Sequence, residues 1–260
     1  MHHTRESGQA AVESALTLPL TVFMVLGTLQ LFMMMQGRVM AQYAAFRATR
    51  AGSLNHGDCA RMKHAAIGAL LPSFVTFLGS ATPGASPAQK LANAFRLRMN
   101  NRYAGAADND HTSRPSGDNG PIVWIFRERP TVAYVRLIGG AVGEDTQFDK
   151  PMTPAEVDQR RLEVRLIYWY PMRIPFANWV MTASFLAQWG LRDYTAQNPL
   201  METQRANWTR DSVSTPDPAI GAEMLSRFTR GQYVVPLEAT YTMRMMTPAK
   251  ARYFATQDCL

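Results

Sequence analysis

Between Ser14 and Met35 the chain carries no charged residue over a run of 22 positions. At 1.5 Å per residue a helix of that length reaches roughly 33 Å, close to the ~30 Å hydrocarbon core of a bilayer. A buried core helix, or the apolar region of a secretory signal, is the plainer alternative. A signal's apolar region stops at about 15 residues and ends in a small-residue cleavage site. This run instead continues into Gln36-Gly37-Arg38 and further helix-forming sequence. It reads as a membrane span. Pro19 lies inside it, a break that a packed membrane helix tolerates.

The residues ahead of the span carry more information. A short polar leader, Met1-His2-His3-Thr4-Arg5-Glu6-Ser7-Gly8, is followed by Gln9-Ala10-Ala11-Val12-Glu13. This arrangement resembles the type III signal of type IV pilins and pseudopilins. The resemblance implies cleavage after Gly8 by a membrane aspartyl peptidase. The mature chain would start at Gln9, with Glu13 as its fifth residue. Gly8 has no side chain, which lets a protease approach its backbone closely. A carboxylate at the edge of hydrocarbon is costly and usually has a partner. In a filament that partner would be the new α-amino group of a neighbouring subunit's Gln9. The alternative is that Glu13 merely snorkels to the headgroups.

The charge balance points the other way. Basic flanks favour the cytoplasmic side, and Arg5 in the leader faces Arg38, Arg47 and Arg50 beyond the span. The type III signal must face the cytoplasm to be processed, and the C-terminal portion reads as a folded domain. We therefore expect the residues after Gly37 to be periplasmic.

The run Gly8-Gln-Ala-Ala-Val-Glu-Ser-Ala-Leu16, followed by Leu18-Pro19-Leu20, resembles the TadE-like family. So does the continuation Ala44-Ala-Phe-Arg-Ala-Thr-Arg-Ala-Gly52. Weaker echoes lie in Tyr170–Phe176 and Thr242–Met245. The resemblance implies a pseudopilin-like minor pilin that takes part in assembly or priming of a Tad-type pilus or secretion machine. It implies as partners other pilins or pseudopilins, Tad inner-membrane platform proteins and a prepilin peptidase, besides the lipid bilayer. It implies a single-pass protein of the bacterial inner membrane, or one incorporated into a pilus.

Gly37, Ala41 and Ala45 recur at four-residue intervals, and Ala48 and Gly52 continue the stripe. Small residues so spaced let helices approach closely; alanine also simply favours helix. A second helix is expected over Asp58–Leu71, with Met62, Ala66, Ala69 and Leu70 on one side and Pro72 ending or kinking it. A linker follows at Gly79–Pro87, a third helix at Gln89–Tyr103, and a polar loop at Gly105–Gly120. Strands are expected over Pro121–Phe126, Thr131–Ile138, Arg161–Tyr170 and Tyr233–Met246, the last two with clear period-two alternation. Ile174–Leu191 is apolar and reads as a helix buried on the sheet, or as a second span. The fold class is α+β: a long N-terminal transmembrane helix followed by a pilin-like periplasmic domain with an antiparallel sheet and packing helices. The expected division is leader 1–8, transmembrane and extended helix 9–52, and periplasmic domain 53–260.

Candidate chemistry is sparse. Cys59 and Cys259 are the two cysteines, and an even pair outside the cytoplasm points to a disulfide rather than two free thiols. His56, Asp58, Cys59 and His64 are metal-ligating types, but their placement on one face is not secured. Asp108, Asp110 and Asp118 fail the EF-hand spacing. Gly139-Gly140-Ala141-Val142-Gly143 lacks the phosphate-loop and dinucleotide patterns and reads as a turn. No catalytic motif emerges, so no metal, cofactor or catalytic residue is assigned. The net charge of +7 is spread along the chain with no basic run. That suits anionic lipid or acidic partners and gives no reason to expect nucleic acid. Two other readings stay open. One is an unprocessed single-pass assembly or adhesion factor with a protein-binding periplasmic domain; the other is a membrane-anchored periplasmic enzyme.

Overall fold

The computed structural model describes residues 6–74, 83–99, 120–139, 160–188 and 217–259. The expected polar loop at Gly105–Gly120 lies outside them except for its last residue. The glycine turn from Gly140 and most of the Gly79–Pro87 linker also lie outside. Contacts divide the chain into two compact units. One comprises Met1–Met35 with Pro171–Val235, the other Gln36–Tyr170 with Pro236–Leu260.

Helix α1 runs from Glu6 to Leu54 with Pro19 inside it. It is long and apolar enough to cross a membrane, and its most apolar window is almost wholly bare. Thr17, Thr21 and Thr28 turn their hydroxyls back onto carbonyls of the preceding turn, which keeps those three donors paired.

The first unit continues from Pro171 into α5 (Ala177–Gln188) and α6 (Pro218–Thr229), which lie beside each other. Helix α6 starts where its sequence says a helix should. The Asp217 carboxylate accepts the Ala219 N–H at 3.0 Å and Pro218 takes the first turn, where its missing N–H costs nothing. It ends at Gly231, whose φ of 75° only glycine adopts without strain. Arg227 is buried in this helix and donates to Glu223 at 2.7 Å. We expected no helix at this point in the sequence.

The second unit is built on a four-stranded antiparallel sheet in the order β3-β2-β1-β4. Its strands are β1 (Val123–Arg129), β2 (Arg161–Pro171), β3 (Val234–Arg244) and β4 (Asp258–Cys259). β1 pairs β2 from Val123 opposite Tyr168 to Arg129 opposite Glu163, with a bulge between Arg127 and Arg129. The alternation read in β2 places Leu162, Val164, Leu166 and Tyr168 inside as expected. Ile167 and Trp169 on its other face are buried too, so β2 is covered on both sides. β3 reaches residue 244, short of the expected 246, and Tyr241 on its apolar face stays 38% exposed.

Helix α2 (Cys59–Phe74) buries Met62, Ala66, Ile67, Leu70, Leu71 and Phe74. Pro72 does not end it. The ring takes the place of an N–H in the last described turn, and Ser73 Oγ donates back to the Leu70 carbonyl at 2.6 Å. Helix α3 (Pro87–Met99) packs on α2. It begins two residues earlier than expected, because Ser86 and Gln89 form a capping box. The Ser86 hydroxyl accepts the Gln89 N–H, and Gln89 Oε1 accepts the Ala85 N–H.

Thr131–Ile138 is not a strand. Val132–Gly139 is helix α4. Its β-branched residues suggested a strand, but Thr131 caps a helix: its hydroxyl accepts the Tyr134 N–H and its carbonyl the Val135 N–H. Helical spacing then buries Val135 and leaves Leu137 78% exposed.

Candidate functional site

Two places in the chain concentrate what the sequence singled out. The first is α1. The Gly8–Gln9 bond falls in its first described turn. Glu13 is exposed. Its carbonyl accepts the Thr17 hydroxyl at 2.9 Å, while its carboxylate has no ion-pair partner among the described residues. Geometry thus leaves this charge open to a group from outside the chain.

Farther along α1 the small-residue stripe is buried: Ala41, Ala44, Ala45 and Ala48 have no exposed surface. The stripe was expected to seat another helix. At Gly37 it seats strands, for a Cβ there would stand 2.8 Å from the Tyr170 ring of β2 and 3.1 Å from Leu237 of β3. At Gly52 it seats one of each, Leu162 of β2 and Met62 of α2. Phe46 meets the Tyr241 ring edge-on at 5.2 Å. The glycines are present because the helix lies directly on large sheet side chains.

The second place is a clasp that sews the last residues of the chain to the turn after α1. Cys59 and Cys259 stand at disulfide distance, Cα–Cα 5.3 Å, across a sequence separation of 200. Beside them Arg127 is 1% exposed. It donates to the carbonyls of Gly57 at 2.8 Å, Tyr253 at 2.9 Å and Gln257 at 3.1 Å, and to that of Thr256. Its guanidinium also lies 4.0 Å over the Phe254 ring. Burial pushes the Arg127 pKa down to about 10, against the opposing pull of Asp258 and Asp58, so it stays charged at neutral pH. Gln257 works in the opposite direction, accepting the Val132 N–H at 2.8 Å and donating to the carbonyls of Arg127 and Pro130.

Three of the four residues weighed as metal ligands, His56, Asp58 and Cys59, have contacts at this same turn. The His56 ring bonds the Pro248 carbonyl at 2.8 Å. Asp58 caps α2 through the Ala60 N–H at 3.0 Å. Gly57, at φ 82°, leaves room for Phe254, which a Cβ would approach to 2.4 Å.

Sequence reading missed Arg127 and Gln257. Arg127 was legible: period-two alternation puts it on the face of Val123 and Ile125, and an arginine facing a core requires acceptors there. Gln257 carries no such signal.

An apolar N-terminal helix of this length fits a membrane-anchored, single-pass protein, and its continuation lies on an antiparallel sheet. Within that class the N-terminal segment is specific. Residues 8–50 match the family model TadE, described as TadE-like protein. The later echoes at Tyr170–Phe176 and Thr242–Met245 lie outside the matched residues. No curated protein and no solved structure matches the chain.

Proposed function

We propose that this chain is a TadE-like minor pilin or pseudopilin that takes part in assembling or priming a Tad-type pilus, and that it has no catalytic role of its own. The family match over residues 8–50 carries the reading. The match begins at Gly8 and covers Glu13, the apolar run and the stripe as far as Ala48. In this reading a prepilin peptidase cuts between Gly8 and Gln9. Glu13 then pairs with the Gln9 amine of a neighbouring subunit. The span from Ser14 to Met35 holds the protein in the inner membrane, with the sheet domain in the periplasm, where the Cys59–Cys259 bond is stable. Other pilins and the inner-membrane platform are the partners.

Intact mass of the protein extracted from its host membrane tests this. The expected species lacks Met1 to Gly8. Recovery of the full-length chain alone, with the peptidase active, would instead favour an unprocessed single-pass assembly factor.

A further inference from the structure

Full exposure along α1 gives way to partial cover partway through its apolar run. Val12 to Val22 are all exposed, eleven residues that span about 16 Å, against a hydrocarbon core of about 30 Å. From Phe23 on, one face of α1 is covered: Phe23, Leu26, Gln30, Met33 and Met34 recur at helical spacing and are half-buried or, for Gln30, fully buried. Part of the cover is the turn leading into α5. Gln30 Oε1 accepts the Ile174 N–H at 3.1 Å, and the Phe23 and Phe176 rings meet edge-on at 5.7 Å. Phe23 lies twelve residues from Met35, about 18 Å along the helix. If Ser14–Met35 spans, Phe176 lies deep in the hydrocarbon.

We propose that Ile174–Gln188 is a re-entrant, lipid-embedded element: a second contact with the bilayer, made by a helix that enters beside α1 without crossing. The proposal rests on the reading of α1 as a span. Independent features of the segment suit it to lipid. No residue from Ile174 to Gln188 is charged, and Arg173 immediately precedes it. The described part of helix α5 has 12 residues, about 18 Å, against a hydrocarbon core of about 30 Å.

Most N–H groups of its first turn find acceptors within the segment or on Gln30, as hydrocarbon demands. The N–H groups of Ala177, Asn178 and Val180 bond the carbonyls of Pro175, Ile174 and Phe176, and that of Trp179 bonds the Asn178 side chain. Pro175 has no N–H to satisfy. Thr182 and Ser184 turn their hydroxyls onto carbonyls four residues back. Phe176 holds a φ of 67°, an uncommon and strained conformation for a bulky residue. It sets the ring against Phe23 while leaving 53% of the residue outward, and Trp179 one turn on is 47% exposed. Water would penalise such a pair of aromatics, whereas lipid accommodates them.

The full-length chain is reconstituted in phosphatidylethanolamine–phosphatidylglycerol vesicles with photoreactive benzoylphenylalanine in place of Phe176, Leu20 or Tyr241, and lipid adducts are measured by mass. Leu20 reports the span itself, and Tyr241 an exposed aromatic of the sheet. We expect adducts at 176 within about twofold of those at 20, both being in the acyl region, and at least about tenfold fewer at 241, outside it. Adducts at 20 without adducts at 176 would overturn the re-entrant element and leave the anchor standing. Absence at both would overturn the anchor reading and the proposal with it. Equal yields at all three positions would also overturn it, since labelling would not then follow depth.

Discussion

Arg127 is a single cation that organises four carbonyls from two stretches of chain distant in sequence. A buried charge is costly to desolvate, and here the acceptors and the Phe254 ring offset that cost. Replacing it with Met removes the charge and strands the carbonyls. Arg127→Met is expected to lower stability by about 3–5 kcal/mol, the range for breaking a buried charged network. Arg127→Lys should fall between, because an ammonium cannot span the fork. Thermal unfolding of the detergent-solubilised protein checks both. The cysteine pair belongs to the same cluster. Non-reducing peptide mapping is expected to find Cys59 and Cys259 linked; full alkylation of both thiols without reductant would refute the bond. Closing a loop of that length contributes roughly 3–5 kcal/mol in chain-entropy terms.

Among the elements, α1 shows how a glycine's meaning depends on what lies above it. Gly37 has the Tyr170 ring at 2.8 Å from where a Cβ would sit, whereas Gly27 has nothing within 4 Å. Gly37→Val is therefore expected to cost about 1–3 kcal/mol through overpacking. Gly27→Ala should be neutral or slightly stabilising, since alanine is the better helix former. Paired thermal melts decide the point. Much of this level was legible in advance. The apolar run, the small-residue stripe and the alternation of β2 and β3 follow from periodicity alone.

What failed to show was mostly punctuation. Thr131, Ser86 with Gln89, and Asp217 with Pro218 are capping signals that outrank the β-branched or polar look of the residues after them. Reading them would have turned the expected strand at Thr131 into a helix and found α6. The partner of the stripe was beyond reach for a different reason. Small residues report that something lies close, and most of the approaching side chains, Tyr170, Leu237 and Leu162, stand more than a hundred positions away. For the candidate site, Glu13 and the cysteines stood out as exceptions in their surroundings, whereas Gln257 acts through a tail that gives no pattern.

For the whole molecule, the question is assembly. The carboxylate of Glu13 has no ion-pair partner among the described residues, and the helix it stands on is long and apolar enough to cross a membrane. Glu13→Ala is expected to give wild-type membrane levels, with co-purification of pilin subunits impaired or pili lost. Glu13→Gln should behave alike, because the amide keeps the shape and loses the charge. An intersubunit pair shielded from water is costly to break from one side. Wild-type assembly by both variants would show that Glu13 only reaches for the headgroups.

The position of β4 at the sheet's edge bears on the life of unfinished chains. β1 pairs on one side with β2 and on the other with Asp258 and Cys259. Until those residues arrive, Ile125 and Phe126 lie on an open strand edge, a ready template for another copy. The tail is thus a guard as well as a brace. Chains that stop short of it, through truncation or proteolysis, are expected to self-associate more readily than chains whose β4 is paired.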